Sequence, residues 1–330
     1  MFSYKNILLV GSKEEFTLEK MYFRAFKKIG LKVTLYHSDN SVKNIIGKFF
    51  EKYLSSIYYL FVRKKFVNFF FKNRKKYDLV IIFKGLFLNK ETIKKLKEKN
   101  IKIVNIFPDN PLNTQVKNIS NKNLVNCIED YDLFCVWSQK IIKKIRKLKP
   151  KSHLYYLPFG YDGFIHRKVP PKKKYINTIN FIGSYDPARL DFLKKIRDND
   201  LIIAGNNWRD HIKNEGNYIF GKKLCSIISS SLISINLLRD QNKSSHNMRT
   251  FEVPAMGGLL LTKRSKEQKK FFPENKASIM YANKKEFLKK INFILKNKNK
   301  MSKIRELSYK LSKKHSYTRR AINILKRLND

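Results

Sequence analysis

Cysteine is scarce in this sequence, with three in 330 residues, at 127, 135 and 225. An odd number, far apart, with no CxxC pair and no histidine at ligand spacing, excludes a disulfide framework and a thiolate metal site, and reads as reduced, buried thiols. Long apolar runs are missing too. The longest uncharged stretch, YLSSIYYLFV at 53–62, falls well short of the roughly 20 residues a membrane-spanning helix needs. MFSYKNILLVGS at the start is too brief for a signal peptide and has no cleavage site. There is no low-complexity tract and no internal repeat. Three nucleotide and hydrolase signatures are also lacking. No GxGxxG follows the first strand, and neither a GxxxxGK[ST] loop nor a GxSxG elbow occurs, which argues against a dinucleotide oxidoreductase, a nucleotide triphosphatase and an α/β-hydrolase.

Acidic residues are the other shortage: 26 Asp and Glu against 71 Lys and Arg, a formal net charge of +45. Such an excess points towards nucleic acid or an anionic membrane surface. Yet it is mostly lysine spread over the whole chain, together with abundant Ile and Asn, the pattern an AT-rich genome produces, whereas nucleic-acid readers cluster their cations and lean on arginine. No specific nucleic-acid partner is expected. A basic nucleic-acid-binding protein remains the alternative from another class.

What is present is alternation. Short β-rich runs at 6–10, 32–36, 78–83, 101–107, 133–137 and 153–157 are separated by helical periodicity, as in LEKMYFRAFKKIG (18–30), where Leu18, Met21, Tyr22, Ala25, Phe26 and Ile29 share a face. HRKVPPKKKY (166–175) interrupts the pattern and predicts a linker. The alternation then restarts at 178–184, 201–205, 217–221, 232–238, 258–262 and 278–281, followed by helices near 284–297, 300–314 and 318–328. Near-continuous apolar strands alternating with helices predict parallel α/β sheets wound on both faces. The expected organisation is a Rossmann-like domain over 1–165, a linker at 166–175, a second Rossmann-like domain over 176–312 and a terminal helix in 313–330. Ligands of such sheets bind beyond the carboxyl ends of the strands, so two facing crevices predict an interdomain cleft.

One segment concentrates chemistry. In NMRTFEVPAMGGLLLT (247–262), a helix from about Asn247 to Met256 precedes a strand, with Pro254 near the helix end and Ser244, Ser245 and Asn247 as candidate caps. The start of such a helix offers free N–H groups and a positive dipole end to phosphate, and Arg249 adds a fork for phosphate oxygens. Glu252, one turn in, suits the two hydroxyls of a ribose. Gly257 and Gly258 let the backbone pass close to a ligand or to a neighbouring strand. The combination reads as a site for a nucleotide diphosphate. By contrast, the basic aromatic stretch 44–71 reads either as a helix packed on the first domain or as a surface resting on anionic lipid.

The same segment resembles the donor site of the CgeB-type (spore maturation protein) glycosyltransferases, a branch of the group 1 glycosyltransferases with the GT-B fold. LPFGYDGFIH (157–166), NFIGSYDPARLDFL (180–193), SSSLISINL (229–237) and KKHSYTRRAINIL (313–325) are similar to that family in the same order. The resemblance implies GT-B architecture, two doubly wound Rossmann-like domains facing a cleft, with the terminal helix crossing back onto the first. It implies a glycosyltransferase that uses a nucleotide-diphosphate-sugar as co-substrate with no tightly bound cofactor, and a glycan, lipid-linked or protein acceptor; because no metal site is evident in the sequence, metal-independent transfer is expected. Glu252 takes the place of the ribose-holding glutamate, with Gly257 after it. The family's earlier acidic position falls on Ser244, which leaves backbone N–H groups or His246 to contact the sugar. Gly183 matches the glycine after the first strand of the second domain; the usual Arg is Ser184 and the usual Lys falls on Arg189. Arg189 and Arg249 are therefore expected to neutralise the leaving diphosphate. The departures at Ser244 and Ser184 keep a catalytically silent GT-B-like binding module open.

A general base on the acceptor hydroxyl would come from the first domain. Asp109, in FPDNP after a strand, is the first candidate and His37 the second, with an ordinary turn residue as the alternative for Asp109. Gly11 and Ser12 after the first strand are candidates for the acceptor side. His153, His166 and His315 show no ligand spacing and read as structural. A cytoplasmic protein is expected, with peripheral contact at the inner face of the membrane as an open possibility.

Overall fold

The computed structural model describes residues 3–38, 54–98, 100–113, 122–196, 201–208 and 215–330. The chain divides into two compact units, one formed by 1–158 with 317–330 and the other by 159–316. The boundary therefore falls before the proline-rich stretch 166–175. That stretch is tied into the second unit: Val169 N–H donates to Ser229 Oγ (3.1 Å) and Lys172 N–H to Ser230 Oγ (2.8 Å).

Among the described residues the first unit holds a sheet of six parallel strands, β1 (Asn6–Gly11), β2 (Lys32–His37), β3 (Leu79–Phe83), β4 (Lys102–Phe107), β5 (Leu133–Val136) and β6 (Leu154–Tyr156), in the order β2-β1-β3-β4-β5-β6. β1, β3 and β5 are buried over nearly their whole length, as expected where helices cover both faces of a parallel sheet, whereas the edge strand β2 is only partly buried. The helix Leu18–Lys28 buries Met21, Tyr22, Ala25 and Phe26. The terminal helix Tyr317–Asn329 belongs to this unit and packs on it, with the rings of Tyr22 and Tyr317 5.0 Å apart. Arg320 anchors that helix by donating from Nε to Pro158 O (3.1 Å).

The second unit contains β7 (Ile179–Ile182), β8 (Leu201–Ala204), β9 (Ile233–Asn236), β10 (Leu260–Lys263) and β11 (Ile279–Tyr281), all parallel, in the order β11-β10-β9-β7-β8. Alternate residues feed two cores. Ile179, Phe181, Ile203 and Leu261 face Phe287, Ile291 and Ile294 of the helix Lys284–Lys296, whereas Ile202, Ala204 and Leu260 face Leu224, Ile227 and Ile228 of the helix Gly221–Ser230. That is the double winding expected from the period-two side-chain alternation of strands.

One expected strand is absent. NYIFG (217–221) alternates like an edge strand, with Ile219 buried and Tyr218 74% exposed. Its backbone joins no ladder, and Gly221, at φ +57°, turns the chain straight into the helix Gly221–Ser230. The alternation reports burial on one side only, which an extended segment lying on a domain surface shares with a strand. All three cysteines are free and buried, and burial pushes the Cys127 thiol up to about 12.

Candidate functional site

In the second sheet the strand order reverses between β7 and β9, since β8 lies on the far side of β7. The carboxyl ends of these two strands form the switch point at which such sheets bind ligands. β7 leads into Gly183 and Ser184. Gly205, at φ +145°, lets the end of β8 approach so closely that a Cβ there would strike the Gly183 carbonyl, and this carbonyl accepts from Trp208 Nε1 (2.7 Å). Next comes the helix Pro187–Leu193, started by Asp186, whose side chain accepts from Ala188 N–H (2.9 Å) with Pro187 in the first turn.

Arg189 of that helix braces the switch point. Nη1 donates to Ser184 O (2.9 Å) and Nη2 to Leu237 O (3.0 Å), while the guanidinium lies over the Phe181 ring. Its Nε is buried without a hydrogen-bond partner. Burial first, and then the positive charge of Arg239, push this guanidinium below its usual range. Two cations at one strand-end crevice raise the local potential for an anion. Sequence reasoning missed Arg239, although its position directly after the apolar run of β9 was a usable signal.

The helix Arg249–Ala255 stands beside β7. Met248 is already helical, so Asn247 acts as the cap. Its Oδ1 accepts from Thr250 N–H (3.3 Å), and its own N–H donates to Thr250 Oγ1 (3.4 Å). Asn247 and Asn236, at the end of β9, exchange amide hydrogen bonds of 2.9 Å in both directions. This reciprocal pair fixes the helix start to the sheet. Of the other candidate caps, Ser244 is exposed and Ser245 is buried, donating to Glu267.

Glu252 is 3% exposed, and its carboxylate lies between two partners. Arg249 donates from Nη1 to Oε2 (2.6 Å) and from Nε to Ile182 O (3.4 Å). His166 Nε2 lies 3.6 Å from Oε1. Because His166 Nδ1 accepts from Asp162 N–H (3.1 Å), the neutral ring carries its proton on Nε2, directed at the carboxylate. The loop that presents it is tight: Phe164 N–H donates to Asp162 Oδ1 (2.9 Å) and His166 N–H to Asp162 O (2.8 Å). His166, read from sequence as structural, lies against the Glu252 carboxylate. Its partner is 86 positions away, which no local spacing reveals.

Three residues expected at the ligand serve packing in this structure. His246 is fully buried, accepts at Nε2 from Phe159 N–H (3.3 Å) and meets Glu267 with Nδ1 (3.0 Å), edge-on to Phe251 and Phe271. Both ring nitrogens are engaged inside the unit. Gly257, at φ +72°, and Gly258 close the helix: Gly257 N–H donates to Pro254 O and Gly258 N–H to Val253 O, both at 2.9 Å, the paired bonds of a Schellman motif. A Cβ on Gly258 would stand 2.6 Å from Ile228 Cγ2. Of the two readings of these glycines, close approach to neighbouring chain is the one the geometry shows. Arg305, from the helix Lys298–Ser312, then donates to Gly257 O (2.9 Å), Ser231 O (3.2 Å) and Ser229 O (2.6 Å), capping the carboxyl ends of two helices with one half-buried guanidinium. Nothing in its sequence neighbourhood marks it.

In the first unit the candidates lie at the carboxyl edge of the sheet. Asp109 follows β4, is 42% exposed and pairs with Lys84 (3.2 Å), which follows β3 at φ +59°. Its carbonyl accepts from Trp137 Nε1 (3.4 Å). His37 ends β2 in register with Gly11 at the end of β1. Gly11 is buried beneath Glu19, which a Cβ would strike, and Ser12 accepts from Glu14 N–H (3.2 Å). Among the described residues no group of three or more His, Cys, Asp or Glu is placed to hold a metal ion.

Residues 189–326 match the family described as "Glycosyl transferase-like". No curated protein matches the sequence. Among solved structures, sucrose-phosphate synthase from Thermosynechococcus elongatus is 11% identical, with a TM-score of 0.69 over 97% of each chain. The Anabaena protein HepE in complex with UDP is 10% identical with a TM-score of 0.66, over 98% of this chain and 99% of that one. A glycosyltransferase from Rickettsia africae is 13% identical with a TM-score of 0.65 over the whole of both chains. At these identities the likeness establishes the fold: two Rossmann-like parallel-sheet α/β domains of the GT-B type.

Proposed function

We propose that this protein is a glycosyltransferase that takes a sugar from a nucleotide-diphosphate-sugar and binds the donor at the carboxyl edge of its second sheet. The observation that carries the reading is the Arg249–Glu252–His166 arrangement beside Gly183 and Ser184, flanked on the other side by Arg189. Glu252 is offered to the ribose hydroxyls, with His166 as the side chain that keeps the carboxylate turned. Arg249 is the less buried partner of Glu252, 24% against 4% by side chain. Donor binding therefore exchanges a contact: Arg249 turns to the diphosphate as the diol takes its place on the carboxylate.

Charge stabilisation of the departing diphosphate falls to Arg249, Arg189 and Arg239, fixed cations placed where negative charge develops. Arg189 acts at a distance, since two of its donors hold the backbone that shapes the crevice. On the acceptor side, Asp109 is the proposed base, with Lys84 holding its carboxylate, and His37 the second choice. HepE was crystallised with UDP and glucose, so UDP-sugars are the first donors to test; a glycan or a lipid-linked molecule is the proposed acceptor class. The CgeB-type subgroup is supported by the order of the motifs.

A thermal-shift screen against UDP, GDP, ADP, CMP and their sugars tests the reading, because a ligand of the folded state must raise Tm. A selective shift with one nucleotide, followed by release of that nucleotide from its sugar, supports the transferase. Binding with no sugar release on any acceptor supports a silent binding module instead. The absence of any shift, with tight salt-dependent binding to DNA or RNA, would overturn the proposal in favour of the charge.

A further inference from the structure

The helix Ser55–Asn73 carries apolar side chains on two opposite sides. Val62, Phe66 and Phe70, spaced four apart, are buried, and Phe66 packs on Phe87 (5.6 Å between ring centroids) and Tyr36 (5.3 Å). This stripe fixes the helix to the first unit. At 100° per residue, positions 57, 60, 61, 64 and 68 point the other way. There Ile57, Leu60 and Phe61 are 56%, 41% and 48% exposed, followed along the same face by exposed Lys64 and Asn68. Residues 44–53 of the basic aromatic stretch lie outside the described residues, so the argument rests on this helix alone.

A packing helix has no use for three large exposed apolar side chains opposite its buried stripe. The charge around them names the partner. From Leu54 to Tyr77 there is no Asp or Glu, while Arg63, Lys64, Lys65, Lys72, Arg74, Lys75 and Lys76 are all cationic. Lys65 Nζ lies 4.3 Å from the Phe61 ring centroid, so charge and apolar surface occupy one place. A protein partner would have to be both apolar and strongly acidic at this patch. A bilayer with anionic lipids supplies both at once, hydrocarbon for the side chains and phosphate for the lysines. Among the described residues no helix is long and apolar enough to cross a membrane, so the contact is one of lying on the surface.

We propose that the outer face of the helix Ser55–Asn73, centred on Ile57, Leu60 and Phe61 with Lys64 and Lys65 beside them, docks the protein on the surface of an anionic phospholipid bilayer. This goes beyond the transfer reaction and does not depend on it. Apolar contact and charge are both required, because one weak signal alone gives only marginal binding.

The test is vesicle flotation of the full chain with phosphatidylcholine alone and with about a third phosphatidylglycerol added. The critical variant is Ile57→Ser/Leu60→Ser/Phe61→Ser, which leaves every charge in place. The wild type is expected to float with the anionic vesicles only, and the serine variant to show about tenfold weaker partition with unchanged Tm. Phe61→Trp should shift its emission to the blue on anionic vesicles, against the constant background of the buried Trp137 and Trp208. Flotation of the serine variant equal to wild type would overturn the proposal, since the overall charge alone would then explain binding. So would equal flotation on neutral vesicles, or none on either. A concentration-dependent dimer that the serine variant abolishes would assign the face to a second copy and likewise overturn it.

Discussion

The carboxyl edges of the two sheets are built on different terms. At the second, the polar side chains are buried or half-buried and nearly every one is tied down: Glu252 by Arg249 and His166, Asn247 by Asn236, Arg189 by two carbonyls, and the whole helix Arg249–Ala255 from behind by Arg305. At the first, Asp109 and Lys84 form one half-exposed ion pair, and Gly11 simply makes room for Glu19. A buried polar group must be paired, because desolvation without a partner costs more than the bond returns; an exposed one need not be. The difference fits the proposed division of labour, in which the donor edge is set in advance and the acceptor edge is left open to water and to substitution.

The largest effect expected from this contrast lies in turnover. Asp109→Asn should lower kcat by about a hundredfold or more, the range of a general base, with nucleotide affinity unchanged; a steady-state comparison checks it, and unaltered kcat would return Asp109 to the status of a turn residue. At the other edge, Glu252→Ala should weaken nucleotide binding by about 30-fold, some 2 kcal/mol, through loss of a charged hydrogen-bond acceptor. Glu252→Gln, which preserves volume, should fall between the two. Replacing both Arg189 and Arg249 by Ala should reduce turnover more than either change alone, and full activity in the double variant would remove the diphosphate role.

Arg305→Met should destabilise the second unit by about 2 kcal/mol, because three carbonyls lose their donor, and should lower nucleotide affinity only as far as stability falls. A denaturant titration alongside binding separates the two. The smallest effect concerns acid. Arg264 joins Glu274 and Glu286 near the end of β10 (Nε to Glu274 Oε2 2.9 Å, Nη1 to Glu286 Oε2 2.9 Å) and holds the Glu286 carboxyl down at about 2. A depressed carboxyl contributes stability above its ordinary pKa, near 4.5, that is lost as pH falls towards 2. Glu286→Gln should therefore show a smaller drop in Tm between pH 5 and pH 2.5 than the wild type, and an equal drop would show the contact to be inert.

The strands were legible because apolar runs such as LLV, LVIIF and LFCV must be buried on both faces, and only a parallel α/β sheet does that. The helix carrying Glu252 was legible because Asn247, Arg249 and the glycine pair are local signals. What stayed hidden was long-range. His166 is placed by a loop closed on Asp162 and aimed at a residue far along the chain, and Arg305 acts on carbonyls, which have no identity in sequence. His246 shows the converse: a polar residue within the right motif that folding turned inward, where Phe159, Glu267 and two aromatic rings claimed it. NYIFG was read as a strand because one-sided burial mimics the period of a ladder.

The most direct test of the proposed donor site is calorimetric titration of the nucleotide chosen by the thermal-shift screen into three proteins: wild type, Glu252→Ala and Asp109→Asn, all shown to be folded. The account predicts that Asp109→Asn binds as the wild type does and that Glu252→Ala binds about 30-fold more weakly. Equal affinity in Glu252→Ala would contradict it, and would mean that the buried carboxylate beside Arg249 and His166 holds the fold and not the donor.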